Sequence, residues 1–241
     1  MKDVLGSAIA RYHHSLARAS RTPAAQRTLN KLWVHSKYGP REEMPVEIYF
    51  RNADDMPELE WTALQHCRGR ILDIGAGAGS HALFLQQSGM NVTALDISPK
   101  ASKVIKARGV QKIINEDFYQ LKAYTKYDTL LLLMNGIGLA GTLDGLHKFF
   151  QKARKLVRPG GQLIFDSSDI AYLYHGHPPK GSPYYGEVLY QYEFRRRRSE
   201  WFHWLFIDKS TLSSIAQKEG WKIEPLYKDP SGQYLVRCRL R

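Results

Sequence analysis

Ten residues, Ile71-Leu-Asp-Ile-Gly-Ala-Gly-Ala-Gly-Ser80, restrict this chain more than any others. Arg70 to Ile74 reads as a short buried strand, and three alternate glycines, Gly75, Gly77 and Gly79, follow it at once. From Ser80 to Ser88 the spacing predicts a helix that stops at Gly89, a usual C-terminal signal. A second apolar strand, Asn91 to Leu95, ends in Asp96. Strand, glycine turn, helix and second strand make the first half of an α/β unit. Glycines in that turn let a backbone approach a ligand closely, and the helix behind them starts with unpaired N–H groups.

A carboxylate at the end of the second strand can accept hydrogen bonds from a ribose diol. The spacing Asp73-x-Gly75-x-Gly77-x-Gly79 differs from the dinucleotide pattern Gly-x-Gly-x-x-Gly, because Ser80 stands where its last glycine would be. It resembles motif I of the class I S-adenosylmethionine-dependent methyltransferases, and Asp96 resembles their motif II acid. The resemblance covers Cys67 to Gly161 and the C-terminal end; it speaks to fold and cofactor and is silent about substrate. It implies S-adenosyl-L-methionine held by Asp73, Gly75, Ala76, Gly77, Gly79, Asp96 and Ile97. A third strand, Gln111 to Asn115, precedes Asp117 and Phe118, which resemble the family positions for the adenine amino group and ring; taken alone, Asp117 reads as a helix cap. The fourth strand, Tyr127 to Met134, carries the run Leu130-Leu-Leu-Leu133 expected at the centre of a parallel sheet. Its end adds Met134, Asn135 and Gly136 to the cofactor set, with Asn135 also able to meet substrate. The Asp/Asn-Pro-Pro-aromatic tetrad that amino-directed nucleic-acid methyltransferases share is missing here, which counts against exocyclic base nitrogens. Many family members fold a segment before motif I over the cofactor, which would bring Tyr49 and Arg51 to its methionine end. The other reading of Tyr49 and Phe50 is plain packing of the N-terminal residues onto the domain.

The expected fold class is α/β: a Rossmann-like three-layer sandwich with a mostly parallel seven-stranded sheet and a terminal antiparallel strand. To it are added an N-terminal helical extension over 1–45 and a β-hairpin insertion over 168–207, within a methyltransferase domain spanning 46–241. In the extension, Val4, Ile9, Tyr12 and Leu16 fall at helical spacing, and Pro23 opens a second helix through Ala24, Leu29, Leu32 and Trp33. Ser98 and Pro99 form a helix start, and a further helix over Thr142–Val157 ends at Arg158-Pro159-Gly160-Gly161. The fifth strand is Gln162 to Asp166. The last helix, Ser210 to Glu219, and a closing hairpin, Trp221–Tyr227 with Gln233–Leu240, match the methyltransferase variant of the sheet.

Between the fifth strand and that helix lies the insertion. Val188, Tyr190, Tyr192 and Phe194 alternate with polar residues at period two, Arg195–Arg198 forms the tip, and Trp201–Ile207 returns. The family that the chain resembles encloses its substrate at this place, which implies substrate contacts from Asp169, Tyr190, Tyr192 and Trp204, with an edge-covering or dimer hairpin as the other reading. Candidates for a general base are Asp169, Glu187 and His203, and the sequence does not choose among them.

Composition bounds the partners. The chain has 241 residues, 43% hydrophobic and 12% aromatic, with a formal charge of +12. That charge makes a polyanion a fair partner, so methylation of RNA or protein stands beside a small-molecule substrate, and a non-catalytic cofactor sensor beside both. The basic residues are dispersed except at the arginine tip, which favours the small molecule. No apolar run approaches the ~20 residues of a membrane span, no leader is evident, and Cys67 and Cys238 read as reduced thiols, so a cytoplasmic location is expected. His13-His14 and His175-x-His177 have too few partners for a metal site. Oligomeric state is open.

Overall fold

The computed structural model describes residues 2–16 and 31–241. Its centre is a seven-stranded sheet in the order β11-β12-β7-β6-β3-β4-β5. The strands are β3 (Arg70–Ile74), β4 (Asn91–Asp96), β5 (Ile113–Asn115), β6 (Tyr127–Leu132), β7 (Val157–Ser168), β11 (Trp221–Lys228) and β12 (Gln233–Leu240). The pairs β3–β4, β3–β6, β4–β5 and β6–β7 are parallel, while β12 runs antiparallel to both of its neighbours. The expected sheet, with its antiparallel last strand, is therefore the observed one. β7 is longer than expected, because the chain resumes pairing at Val157 and bulges through Pro159-Gly160-Gly161 before Gln162.

Alternation along the buried strands sorts the core into two layers. Ile71, Leu131, Ile164 and Leu235 pack beneath α2 (Glu58–Gln65), α3 (Ser80–Gln87) and α4 (Pro99–Ala107). Leu72, Leu130, Leu132, Leu163 and Phe165 point the other way, against Phe149 and Phe150 of α5 (Leu143–Leu156) and Leu212 of α6 (Lys209–Lys218). Three helix starts are capped as their sequences demand. Ser98 Oγ accepts from Ala101 N–H at 2.9 Å, Thr142 Oγ1 from Gly145 N–H at 3.0 Å, and Asp208 Oδ1 from Ser210 and Thr211.

The N-terminal residues depart from the expectation. α1 (Val4–Leu16) is a helix packed on α4, but Leu32–Ser36 is a strand, β1, followed by β2 (Gly39–Met44). Leu32 and Trp33 are thus not helical; Pro23, Ala24 and Leu29 lie outside the described residues. The reason is a distant partner. β1 pairs antiparallel with β8 (Glu187–Phe194) of the insertion, whose other edge carries β9 (Arg197–Arg198) and β10 (Phe202–Leu205). The extension and the insertion therefore form one antiparallel sheet, β10-β8-β1-β2, rather than two separate additions.

Candidate active site

The C-terminal ends of β3, β4, β6 and β7 share one edge of the large sheet, and the residues with chemistry gather there. After β3 the chain turns through Gly75, Gly77 and Gly79 at φ of 75°, 61° and 81°, a left-handed run that side chains resist. A Cβ on Gly75 would meet nothing within 4 Å among the described residues, so this glycine borders open space there; one on Gly79 would press Ile105 at 3.1 Å. Gly79 serves helix packing and Gly75 the cradle. Gly77 serves neither alone, since its Cβ would meet the ring of Tyr49 at 3.0 Å.

Asp96 is held ready at the end of β4. One carboxylate oxygen accepts from Gly77 N–H and the other from Ser98 N–H, each at 2.8 Å. Burial pushes its carboxyl up to about 6, against the pull of those two bonds. Ile97 beside it is 66% exposed, an apolar face set open next to an acid. Asp117 caps its own turn by accepting from Tyr119 N–H at 2.9 Å, and Phe118 is sealed in the core against Phe149. Phe118 is thus packed into the core, because the turn that Asp117 caps turns it inward.

Tyr49 lies over the cradle from a short 3-10 turn, Val46–Phe50. Its carbonyl accepts from Ser80 Oγ at 2.9 Å, and burial raises its phenol well above the ordinary value. Arg51 does not face the crevice freely. It pairs with Glu60 at 2.8 Å, and the other oxygen of Glu60 meets His81 Nε2 at 2.8 Å. Next to them Asp73 is buried, pushed up to about 6 by desolvation and drawn back by His81, and its Oδ2 has no hydrogen-bond partner among the described residues. Glu60 and His81 were not singled out in the sequence; only the packing of α2 on α3 brings them under Asp73. A cleft of about 700 Å³ opens nearby between Tyr12, Phe50, Arg51 and Arg108, but none of Gly75, Gly77, Asp96 or Ile97 lines it.

At the end of β6, Met134 and Asn135 both have positive φ, 64° and 55°, which costs on the order of 1–3 kcal/mol per residue. Opposite stands the inner face of the second sheet. Tyr192 lies tilted against Phe202 with centroids 5.0 Å apart, Tyr190 lies 6.5 Å from Phe202, and Phe202 lies 6.4 Å from Trp204. A Cβ on Gly138 would fall 2.1 Å from the Trp204 indole nitrogen, so this face rests directly on the turn after β6.

The three base candidates are not brought together. Glu187 accepts from Leu143 N–H at 2.8 Å and so caps α5. Asp169 accepts from Ala171 N–H at 2.9 Å and from the Tyr185 hydroxyl at 2.7 Å. His203 is exposed and lies one residue off the aromatic alternation, on the outer face. A polar residue near a strand end reads as a base in sequence, yet each of these two carboxylates satisfies a backbone N–H first.

Strand order, cradle and acid together define a class. Residues 72–165 match the family model described as a methyltransferase domain. A SAM-dependent methyltransferase from Bacteroides fragilis, solved in complex with S-adenosyl-L-homocysteine, is 36% identical, with a TM-score of 0.86 over 99% of this chain and 95% of that one. The chain belongs to the class I S-adenosylmethionine-dependent methyltransferases. The CcbJ methyltransferase of Streptomyces caelestis, 13% identical with a TM-score of 0.61 over 78% of this chain and 94% of that one, shares the fold. The ubiquinone biosynthesis O-methyltransferase of Erwinia tasmaniensis is 26% identical over 116 residues, 45% of this chain and 47% of its own length. The chain spans about half the length of the curated relatives it matches.

Proposed function

We propose that this chain transfers a methyl group to a small molecule that lays a flat or apolar face against Tyr190, Tyr192 and Trp204. The observation that carries this reading is the aromatic face of the second sheet, seated on the Gly136–Ala140 turn at the ligand edge.

The residues at the edge fit the cofactor: an open cradle at Gly75, a pre-oriented carboxylate at Asp96, an exposed apolar face at Ile97, and a buried orphan oxygen on Asp73. Asp96 would accept the ribose hydroxyls, Ile97 would lie against the adenine, and Asp73 with its neighbours would receive the methionine end. Bound there, S-adenosylmethionine supplies an electrophilic methyl group on a sulfonium sulfur. Tyr49 lies over Gly77 and would help keep water from the crevice there. Tyr192, pushed up to about 12 by burial, keeps its proton, and Tyr190 is raised in the same direction by burial and then by Glu42. Both phenols therefore act as hydrogen-bond donors and apolar walls, not as bases. With Asp169 and Glu187 committed to caps, the chain contributes orientation and water exclusion, and the acceptor brings its own available lone pair. The likeness to a ubiquinone biosynthesis O-methyltransferase supports a small-molecule acceptor.

RNA is the competing substrate, through the arginine tip. Arg195–Arg198 is exposed, and Arg198 is paired with Glu193 at 2.9 Å. Replacing all four arginines by serine, followed by salt-titrated binding to total cellular RNA, tests the choice. The expected outcome is weak binding whose salt slope is the same with and without the arginines. A large loss, with the slope flattened by up to about four phosphate contacts, would transfer the assignment to RNA.

A further inference from the structure

Asp166 is a deeply buried carboxylate at the ligand edge for which the catalytic reading has no use. It stands near the end of β7, 6% exposed, and both of its oxygens are spent on the next strand's turn. Oδ2 accepts from Asn135 N–H at 2.7 Å and Oδ1 from Gly136 N–H at 3.3 Å. These amides belong to the stretch in which Met134 and Asn135 hold φ of 64° and 55°. Neither residue is glycine, so an outside restraint must keep the backbone there. The carboxylate is that restraint: an ionised acceptor binds N–H groups more strongly than a neutral one.

The Asn135 side chain carries the restraint further. Its Oδ1 accepts from Ser167 Oγ at 3.1 Å, and its Nδ2 donates to the Leu205 carbonyl at 3.2 Å. Ser167 Oγ in turn accepts from Ile207 N–H at 3.2 Å. Leu205 closes β10, the strand that carries Phe202 and Trp204. The ends of β6 and β7 and the return strand of the aromatic sheet are thus tied through three consecutive links.

We propose that Asp166 is a positioning residue: its carboxylate clamps the Met134–Gly136 turn and, through Asn135, fixes the spacing between the cofactor crevice and the aromatic face. The proposal rests on the reading of that crevice as the S-adenosylmethionine site. Burial, opposed by the Asn135 and Gly136 N–H groups, pushes the Asp166 carboxyl up to about 6, and Glu60 of α2 adds to the rise. Tyr234 of β12 feels it in turn, and its own phenol is raised, by burial first. Below that pH one oxygen carries a proton, the two amides lose an ionised acceptor, and the turn loosens.

The experiment is calorimetric titration with S-adenosylhomocysteine at pH 8 and pH 5, for the wild type and for Asp166→Asn. At pH 8 the variant should bind about ten-fold more weakly. At pH 5 the ratio of the two affinities should fall towards one, because the wild type is then neutral at 166 as well. Asp73 and Asp96 titrate in both proteins and cancel from the ratio. Equal affinities at pH 8, or a ratio that does not change with pH, would overturn the proposal. The wild type alone supplies a second measurement should the variant not fold. Protection of the Asn135 and Gly136 amides against hydrogen exchange, corrected for intrinsic rates, should drop about ten-fold or more from pH 8 to pH 5 relative to Leu131 and Leu132. Unchanged protection would overturn the clamp. A wild type that binds no S-adenosylhomocysteine at either pH defeats the cofactor reading instead, and the exchange measurement still decides the role of Asp166.

Discussion

Asp73, Asp96 and Asp166 sit at or near the ends of three parallel strands, and burial pushes each carboxyl to about 6. Between the unfolded value near 3.8 and that folded value, the native chain keeps protons that the unfolded chain has released. Stability contributed by these groups is therefore greatest below about pH 4 and is lost as pH rises through 6, on the order of 3 kcal/mol for each by pH 7. His81 acts in the same direction: burial would lower its pKa, but the Glu60 hydrogen bond and Asp73 raise it, so its contribution also fades as pH rises. Scanning calorimetry of the ligand-free protein should show Tm falling between pH 5.5 and pH 7.5. A Tm that climbs through that window would mean these acids are not buried as described. This cost is the kind a site pays to hold charges ready for a ligand, and only some of it could be read in advance. Asp96, Gly75 and Gly77 were legible because spacing from a strand end fixes their place. Asp166 was quoted in the sequence only as the end of a strand, and Glu60 and His81 not at all, because their meaning depends on which elements become neighbours. The burial of Phe118 was hidden for the same reason: nothing local tells which way a residue points after a capped turn.

Among the elements, the second sheet was the least legible. Residues 188–194 announced themselves by period two, and the return strand followed, though observed only over Phe202–Leu205. β1 did not, because Leu32-Trp33 after Pro23 and Leu29 satisfies helical spacing equally well. Its strand form is imposed by β8, where Leu32 faces Phe194 and Val34 faces Tyr192 across about 160 residues of chain. The tip of β8 carries a local strain that the sequence did not disclose. Phe194 pairs with Arg197, leaving Arg195 and Arg196 as a two-residue turn at φ of 51° and 62°. Such a turn favours Asn-Gly, since both central residues are left-handed. Replacing Arg195 by Asn together with Arg196 by Gly should stabilise the protein by about 1 kcal/mol and raise Tm by roughly 2–4 °C in a chain of this size. A lower Tm would show that the two arginines make contacts worth more than the strain they carry.

At the scale of the whole molecule, a parallel sheet offers its strand ends on one edge, and a second, antiparallel sheet is laid across that edge. The parallel part was readable in outline, since its central strands carry short apolar runs, Leu130–Leu133 above all, with a glycine or a cap beside them. The covering part was readable only as two unrelated additions. Joined, they bring α1 to the N-terminus of α4, where Ser98 Oγ donates to Asp3 at 2.7 Å, and bring Tyr49 over Gly77. The formal charge of +12 belongs to this scale too, and it bears on partners rather than on fold. Which partner receives the methyl group is therefore the central claim. It is tested most directly with methyl-tritiated S-adenosylmethionine, presented to the protein with small-molecule, RNA and protein fractions of a cell extract in separate reactions, and with Asp96→Ala as the control. The account predicts label in the small-molecule fraction alone, and a large loss of it in the control. Label in the RNA or protein fraction, or label that Asp96→Ala leaves unchanged, would contradict it.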